Sequence, residues 1–269
     1  MATFVLVHGA WHGGWCWRDV AADLRGRGHT VFTPTLSGLG ERSHQVSHDI
    51  DIDTHIADIL NVLEWEELTG VVLVGHSYGG MVITGVADRA RDRIGRLVYL
   101  DAFVPEDGDS SATMTVRLTQ PGADDRAVEV EIARRRAAAN VSGGVPPDRT
   151  RMFDLPREPA DRYDWVARRV VPHPVNTQIT PVRLKNGGGD GLPRTYILCT
   201  EASGPTPFVT LAKTIRTDDS WIFRELKTTH DAMVTEPDAV ADLLDEAAQQ
   251  TGGNDGDSKL ERRDPRRDG

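Results

Sequence analysis

A serine, a histidine and a small set of carboxylates are the residues of this chain whose types and spacing could do chemistry. Ser77 lies in Gly75-His76-Ser77-Tyr78-Gly79. Four apolar β-formers, Val71 to Val74, run straight into that pentapeptide, and a helical pattern follows from Met81 to Arg89. A buried parallel strand reads as such an unbroken apolar run. G-x-S-x-G between a strand and a helix is a nucleophile elbow, a turn so tight that the residues flanking the serine must lack bulk. The turn lifts the Ser77 hydroxyl above the sheet at a helix N-terminus, where backbone dipoles favour negative charge. A free hydroxyl is a weak nucleophile and needs a base. His230 has the chemistry for it, since an imidazole can take a proton and return it near neutral pH. Asp101 ends a strand, where open α/β sheets place functional groups, and is a functional candidate.

These side chains need a sheet to hold them. Thr3 to Val7, Thr30 to Pro34, Val71 to Val74, Arg96 to Leu100, Arg194 to Cys199 and Trp221 to Leu226 read as strands. Helical patterns separate them at Trp17 to Arg25, at a segment capped by Asp53 or Thr54 and ending near Leu63, at Pro207 to Arg216 and at Glu236 to Gln249. Asp58 and Glu64 are expected on the outer side of the second of these. Ser77, Asp101 and His230 occur in the order serine, acid, histidine, which with the elbow predicts an α/β-hydrolase fold: a mostly parallel sheet flanked by helices. Residues 1–104 and 175–250 form the expected core. Residues 105–174 break the strand–helix alternation and read as an inserted helical cap, with helices near 126–140 and 161–170. The tail, 251–269, is almost devoid of apolar residues and is expected to be disordered. His8 is expected to be a packed loop histidine with both ring nitrogens satisfied. Aromatic residues of the first loop and of the cap, with Trp11 and Trp165 the substrate-facing candidates, would wall a pocket or pack the cap down.

At 269 residues the chain suits one α/β domain with an insertion. Its formal charge of −10 argues against nucleic acid and against an anionic membrane surface. Cys16 and Cys199 sit in apolar contexts and read as buried thiols without a disulfide. No apolar run approaches a membrane span, and Thr3 to Val7 reads as a strand where a signal peptide would lie, so a cytoplasmic protein is expected. The run His44, His48, Asp49, Asp51, Asp53 and His55 matches no zinc spacing, and neither metal nor cofactor is expected. The expected partner is a small-molecule substrate; a homodimer is left open.

The chain resembles the compact α/β-hydrolases of the hydroxynitrile-lyase and plant methylesterase branch, and especially their bacterial esterase-like relatives. The resemblance rests on Phe4 to Trp17 with its His8-Gly9-Ala10-Trp11-His12-Gly13-Gly14, on Leu36 to His44, on Gly75 to Gly80 and on His230-Asp231-Ala232-Met233, and it spans about residues 3–248. It implies a Ser–His–acid triad and an oxyanion hole from the backbone N–H groups of Ala10 and Tyr78. The lyases of this branch carry a threonine where this chain has Gly9 and a lysine where it has Asp231, so no cation awaits a leaving cyanide and lyase activity is rejected. The branch usually has an aspartate shortly after the strand Arg194 to Cys199, where this chain reads Thr200-Glu201-Ala202-Ser203. Asp101 is then the expected acid, in a Tyr99-Leu100-Asp101-Ala102 setting similar to that of some haloalkane dehalogenases, with Glu201 as the alternative acid.

The expected function is hydrolysis of a small to medium, largely apolar carboxylic ester through an acyl-enzyme. Two alternatives stay open. One is a cofactor-free non-hydrolytic reaction on this fold, such as a cyclisation, an elimination or a ring cleavage. The other is a ligand-binding protein of low turnover.

Overall fold

A computed structural model describes residues 1–149, 152–157 and 160–250; the segment 251–269, expected to be disordered, lies outside them. In chain order the first elements are β1 (Thr3–Val7), α1 (Arg18–Gly26), β2 (Thr30–Phe32), α2 (Ile52–Trp65), β3 (Val71–His76), α3 (Gly79–Arg89) and β4 (Ile94–Leu100). Then come α4 (Ser111–Thr119), α5 (Asp125–Ala138), a two-residue strand β5 (Gly144–Val145), α6 (Ala160–Ala167) and its partner β6 (His173–Pro174). The chain continues through α7 (Asn176–Ile179), β7 (Arg194–Cys199), α8 (Pro207–Ile215), β8 (Trp221–Leu226), α9 (Ala232–Thr235) and α10 (Pro237–Gln249).

Six strands make one sheet in the order β2-β1-β3-β4-β7-β8, and all five pairings are parallel. Successive side chains of a strand face opposite ways, and the two apolar cores follow that alternation. Val5, Leu73, Leu97 and Tyr196 meet α2, α3 and α8 on one face. Phe4, Val74, Val98 and Ile197 meet α1 and α10 on the other. Residues buried on both faces explain why β1, β3 and β4 read as continuous apolar runs. The sheet reverses direction of growth beside β1, and that switch point opens a crevice at the carboxyl ends of the strands. The segment from α4 to β6 leaves the sheet after β4, and its β5–β6 ribbon returns the chain toward β7.

The helix containing His55 begins earlier than its sequence suggests. Asp51, not Asp53 or Thr54, is its N-cap: its carboxylate accepts from the Thr54 N–H at 3.0 Å while Thr54 returns its side chain to the Asp51 N–H. Asp58 also departs from the outward position expected of it. Its carboxylate is turned in, taking the Ser37 N–H at 2.6 Å and the Ser37 hydroxyl at 2.9 Å and pairing with Arg42. The loop before the helix supplies those donors, and helical periodicity carries no record of a loop. Cys16 and Cys199 are free and buried. No helix among the described residues is long and apolar enough to cross a membrane.

Candidate active site

The elbow is held by its backbone. Ser77 has φ 54°, the left-handed region that side chains with a Cβ seldom enter. The conformation is pinned on both sides: the Ser77 N–H donates to Leu100 O at 3.2 Å, and Ser77 O accepts from Phe103 N at 3.1 Å and Gly80 N at 3.1 Å. A Cβ on Gly75 would stand 2.7 Å from Gly79 O, so the turn closes only without bulk there. The first loop presses equally close. A Cβ on Gly9 would stand 2.9 Å from His76 Nδ1 and 3.0 Å from Ser77 Cβ.

Asp101 follows β4 and is 2% exposed. Its Oδ2 accepts from His230 Nδ1 at 2.6 Å, and its Oδ1 accepts the Cys199 N–H at 3.2 Å. The second contact orients the carboxylate, so the sheet itself aims Asp101 at the imidazole. Like Ser77 it has a positive φ, 43°. Glu201 is elsewhere: its side chain is 48% exposed and lies 3.9 Å from Lys227 Nζ. The structure therefore brings Asp101, and not Glu201, to His230.

His230 is gripped on three sides. Phe208 stacks on its ring at 5.0 Å and 8°. The His76 ring lies 4.6 Å away, and His76 Nε2–H donates to His230 O at 2.9 Å. Since His76 immediately precedes Ser77, that bond ties the elbow to the His230 loop. Burial pushes the His230 imidazole toward its neutral form. The hydrogen bond to Asp101 and the charges of Asp101, Asp231 and Asp154 outweigh burial, and its pKa is raised above the ordinary 6.5.

Among the described residues, the backbone N–H groups of Ala10 and Tyr78 have no acceptor in the chain. Ala10 opens the turn after β1, and Tyr78 follows the serine at the head of α3. Trp11 has φ 65°. Its backbone N–H donates to His173 Nδ1 at 3.2 Å and its indole N–H to Val145 O at 2.9 Å, which stitches the first loop to the β5–β6 ribbon. Trp165 packs edge-on to Trp15 at 5.0 Å, with the Arg18 and Arg169 guanidinium groups over its ring. Those contacts fasten α6 to the core. His8 is fully buried between Gly9 O and the Leu36 N–H, as its packed-loop reading anticipates.

Sequence reasoning anticipated a packed His8 and missed the other histidines behind this site. His8, His55, His76 and His173 are all buried, and burial is the largest cause holding each neutral. The His8 pKa falls to about 3 and that of His55 to about 4. Only their convergence in space marks them, and no spacing in the chain reports it. A stability consequence follows with a definite sign. The unfolded chain binds protons at these rings below about pH 6.5, whereas the folded chain does not until its lowered pKa values are reached. Stability is thus present above pH 6.5 and lost as pH falls, by roughly 1.4 kcal/mol per pH unit for each ring. The raised His230 opposes this with the contribution of one group. We expect the melting temperature to fall steeply between pH 6.5 and 5 in thermal scans; a flat profile over that range would refute the burial of neutral rings.

Residues 4–243 match the alpha/beta hydrolase family. The chain belongs to that family. This hydrolase is 45% identical over 244 residues to a carbendazim hydrolyzing esterase of Nocardioides sp., covering 91% of this chain and 98% of that protein. A shorter stretch of 114 residues is 37% identical to methylesterase 2 of Arabidopsis thaliana, 38% of this chain and 40% of the relative. Among solved structures, an extracellular alpha/beta-hydrolase from a Paenibacillus species, described as sharing structural and functional homology with tobacco salicylic acid binding protein 2, superimposes with a TM-score of 0.77 at 25% identity. It covers 93% of the hydrolase and 100% of that chain. A pyrethroid hydrolase from Sphingobium faniae, with a TM-score of 0.69 at 21% identity over 92% of this chain and 97% of its own, shares the fold.

Proposed function

We propose that this hydrolase cleaves small to medium, largely apolar carboxylic esters through an acyl-enzyme. An ester hydrolase is what its relatives make it: the Nocardioides protein, an esterase, aligns with it along nearly its whole length. Ser77 attacks the carbonyl carbon, and His230 takes the serine proton and then delivers it to the leaving alcohol. Asp101 holds the imidazole and stabilises its protonated form. The free N–H groups of Ala10 and Tyr78 receive the oxyanion, each such donor being worth roughly 3–4 kcal/mol in the transition state. Water then releases the acyl group with His230 as base. The single observation that carries this reading is the 2.6 Å bond from His230 Nδ1 to the buried Asp101, in a loop tied at His230 O to His76, the residue before the left-handed Ser77. Trp11 would wall the acyl or alcohol side. The charge of −10 supports a small-molecule substrate over nucleic acid or an anionic membrane surface.

Stopped-flow hydrolysis of a p-nitrophenyl ester tests the proposal: a burst of p-nitrophenol equal to the enzyme concentration is expected, and its absence with slow linear release would remove the acyl-enzyme. The same assay reads His230. Attack requires the neutral ring, so kcat/KM should fall about tenfold per pH unit below the raised His230 pKa, with a midpoint above 6.5. A midpoint below 6 would contradict the Asp101–His230 pairing.

A further inference from the structure

Behind the catalytic histidine lies a second histidine–aspartate pair, fully out of water. His12 is 1% exposed and Asp231 is 0% exposed. His12 Nε2 lies 3.1 Å from Asp231 Oδ2, and His12 Nδ1 lies 2.8 Å from Ala10 O. A carbonyl oxygen can only accept, so Nδ1 must carry a proton. If Asp231 is ionised, Nε2 must carry one as well. A neutral imidazole beside an ionised carboxylate supplies one proton for two bonds and leaves two acceptors face to face. Whichever side holds it, one proton sits between Nε2 and Oδ2 and joins the two side chains.

The bond is shut off from water on both sides. The ionisable groups that face His12 are His8, His76 and His173, each kept neutral chiefly by burial. Those that face Asp231 are Cys16 and Cys199, whose thiols burial raises and so keeps protonated, and His230. The second oxygen of Asp231 has no hydrogen-bond partner among the described residues. A buried carboxylate with one partner leans wholly on that partner for its charge.

The pair joins two places that the proposed chemistry needs in register. Ala10, whose carbonyl His12 holds, is an expected oxyanion donor through its N–H. Asp231 is the residue after His230, and its own carbonyl starts the turn into α9 by accepting from Val234 and Thr235. We infer that His12 is a positioning residue which, through Asp231, locks the oxyanion loop to the loop that carries His230. The inference rests on the ester-hydrolase reading for its kinetic consequence, but the lock between the loops stands apart from any activity.

The test therefore has two arms. In the first, ¹⁵N-histidine NMR of the whole protein at pH 7.5 should show His12 Nδ1 protonated and a hydrogen bond at Nε2 that Asp231→Ala removes. A His12 Nε2 signal unchanged by Asp231→Ala would overturn the inference whether or not the protein hydrolyses esters. In the second, Asp231→Ala should lower kcat by about 10- to 100-fold with little change in KM, the cost of a misplaced loop. It should also lower the melting temperature by on the order of 10 °C. Asp231→Asn should recover most of that kcat, since its amide N–H can donate to a neutral His12 Nε2 while Nδ1–H keeps Ala10 O. The double variant His12→Ala with Asp231→Ala leaves no lone buried charge and should regain stability but not kcat. Return of kcat together with stability would reduce the pair to a structural filler, and an Asn variant as impaired as the Ala variant would defeat the bond count.

Discussion

Ser77→Ala is expected to abolish labelling by a fluorophosphonate probe and to lower ester turnover by about a millionfold, the scale seen when a triad nucleophile is lost. The fold should be unaffected. Alanine keeps the Cβ that already stands in the left-handed turn, and the bonds that pin the turn, from Ser77 N to Leu100 O and from Phe103 N and Gly80 N to Ser77 O, are backbone bonds. Some rate over water should survive, because the Ala10 and Tyr78 donors and the pocket remain, and in a related chemistry such features retain about 10³–10⁴. Intact-mass and peptide mapping of the labelled protein decide the matter. An adduct on any residue other than Ser77 would remove the nucleophile from the proposed mechanism. Turnover of an ester at wild-type rate by the alanine variant would instead favour proton transfer by His230 alone.

The second large effect is expected at Asp101. Cys199 N–H donates to Asp101 Oδ1, and that donor needs an oxygen. In Asp101→Asn the amide oxygen stays with Cys199, and the amide NH₂ turns toward His230 Nδ1. The imidazole must then present a lone pair at Nδ1 and carry its proton on Nε2, the nitrogen meant to receive one from Ser77. The acylation rate should fall by roughly 10⁴, as for a triad forced into the wrong tautomer. KM should change little, because the loss is felt in the transition state. Glu201→Gln should cost less than about tenfold, since Glu201 is half exposed and lies near Lys227. Single-turnover rates for the two variants rank them directly, and the reverse order would move the acid to the end of β7.

Much of this site was legible because its parts lie at strand ends, and strands announce themselves. The unbroken apolar run of β3 places Ser77 at the switch point, and β4 and β8 deliver Asp101 and the His230 loop to the same edge. The choice between Asp101 and Glu201 was not settled by pattern. It turns on which carboxylate the neighbouring strand orients, and the Cys199 N–H that does so is a backbone group with no signature in the sequence. Asp58 reads as a solvent-facing helix residue until the Ser37 loop folds over it. The His12–Asp231 and His76–His230 contacts join residues 219 and 154 positions apart. Packing of loops against loops makes them, and that geometry follows from no periodicity.

The closeness of the first loop to the elbow also limits where this chain can go in sequence space. The lyases of the branch it resembles carry threonine at the place of Gly9, and here even the first carbon of such a side chain would meet His76 Nδ1 at 2.9 Å and Ser77 Cβ at 3.0 Å. Contacts that short are repulsive, and neither neighbour is the free end of a flexible chain. Nor can His76 swing aside without releasing His230 O. A Gly9→Thr change alone therefore injures the existing chemistry before any new one is available. The order of events along such a lineage is thereby set: the loop after β1 has to withdraw from the elbow first, and only then can residue 9 gain a side chain.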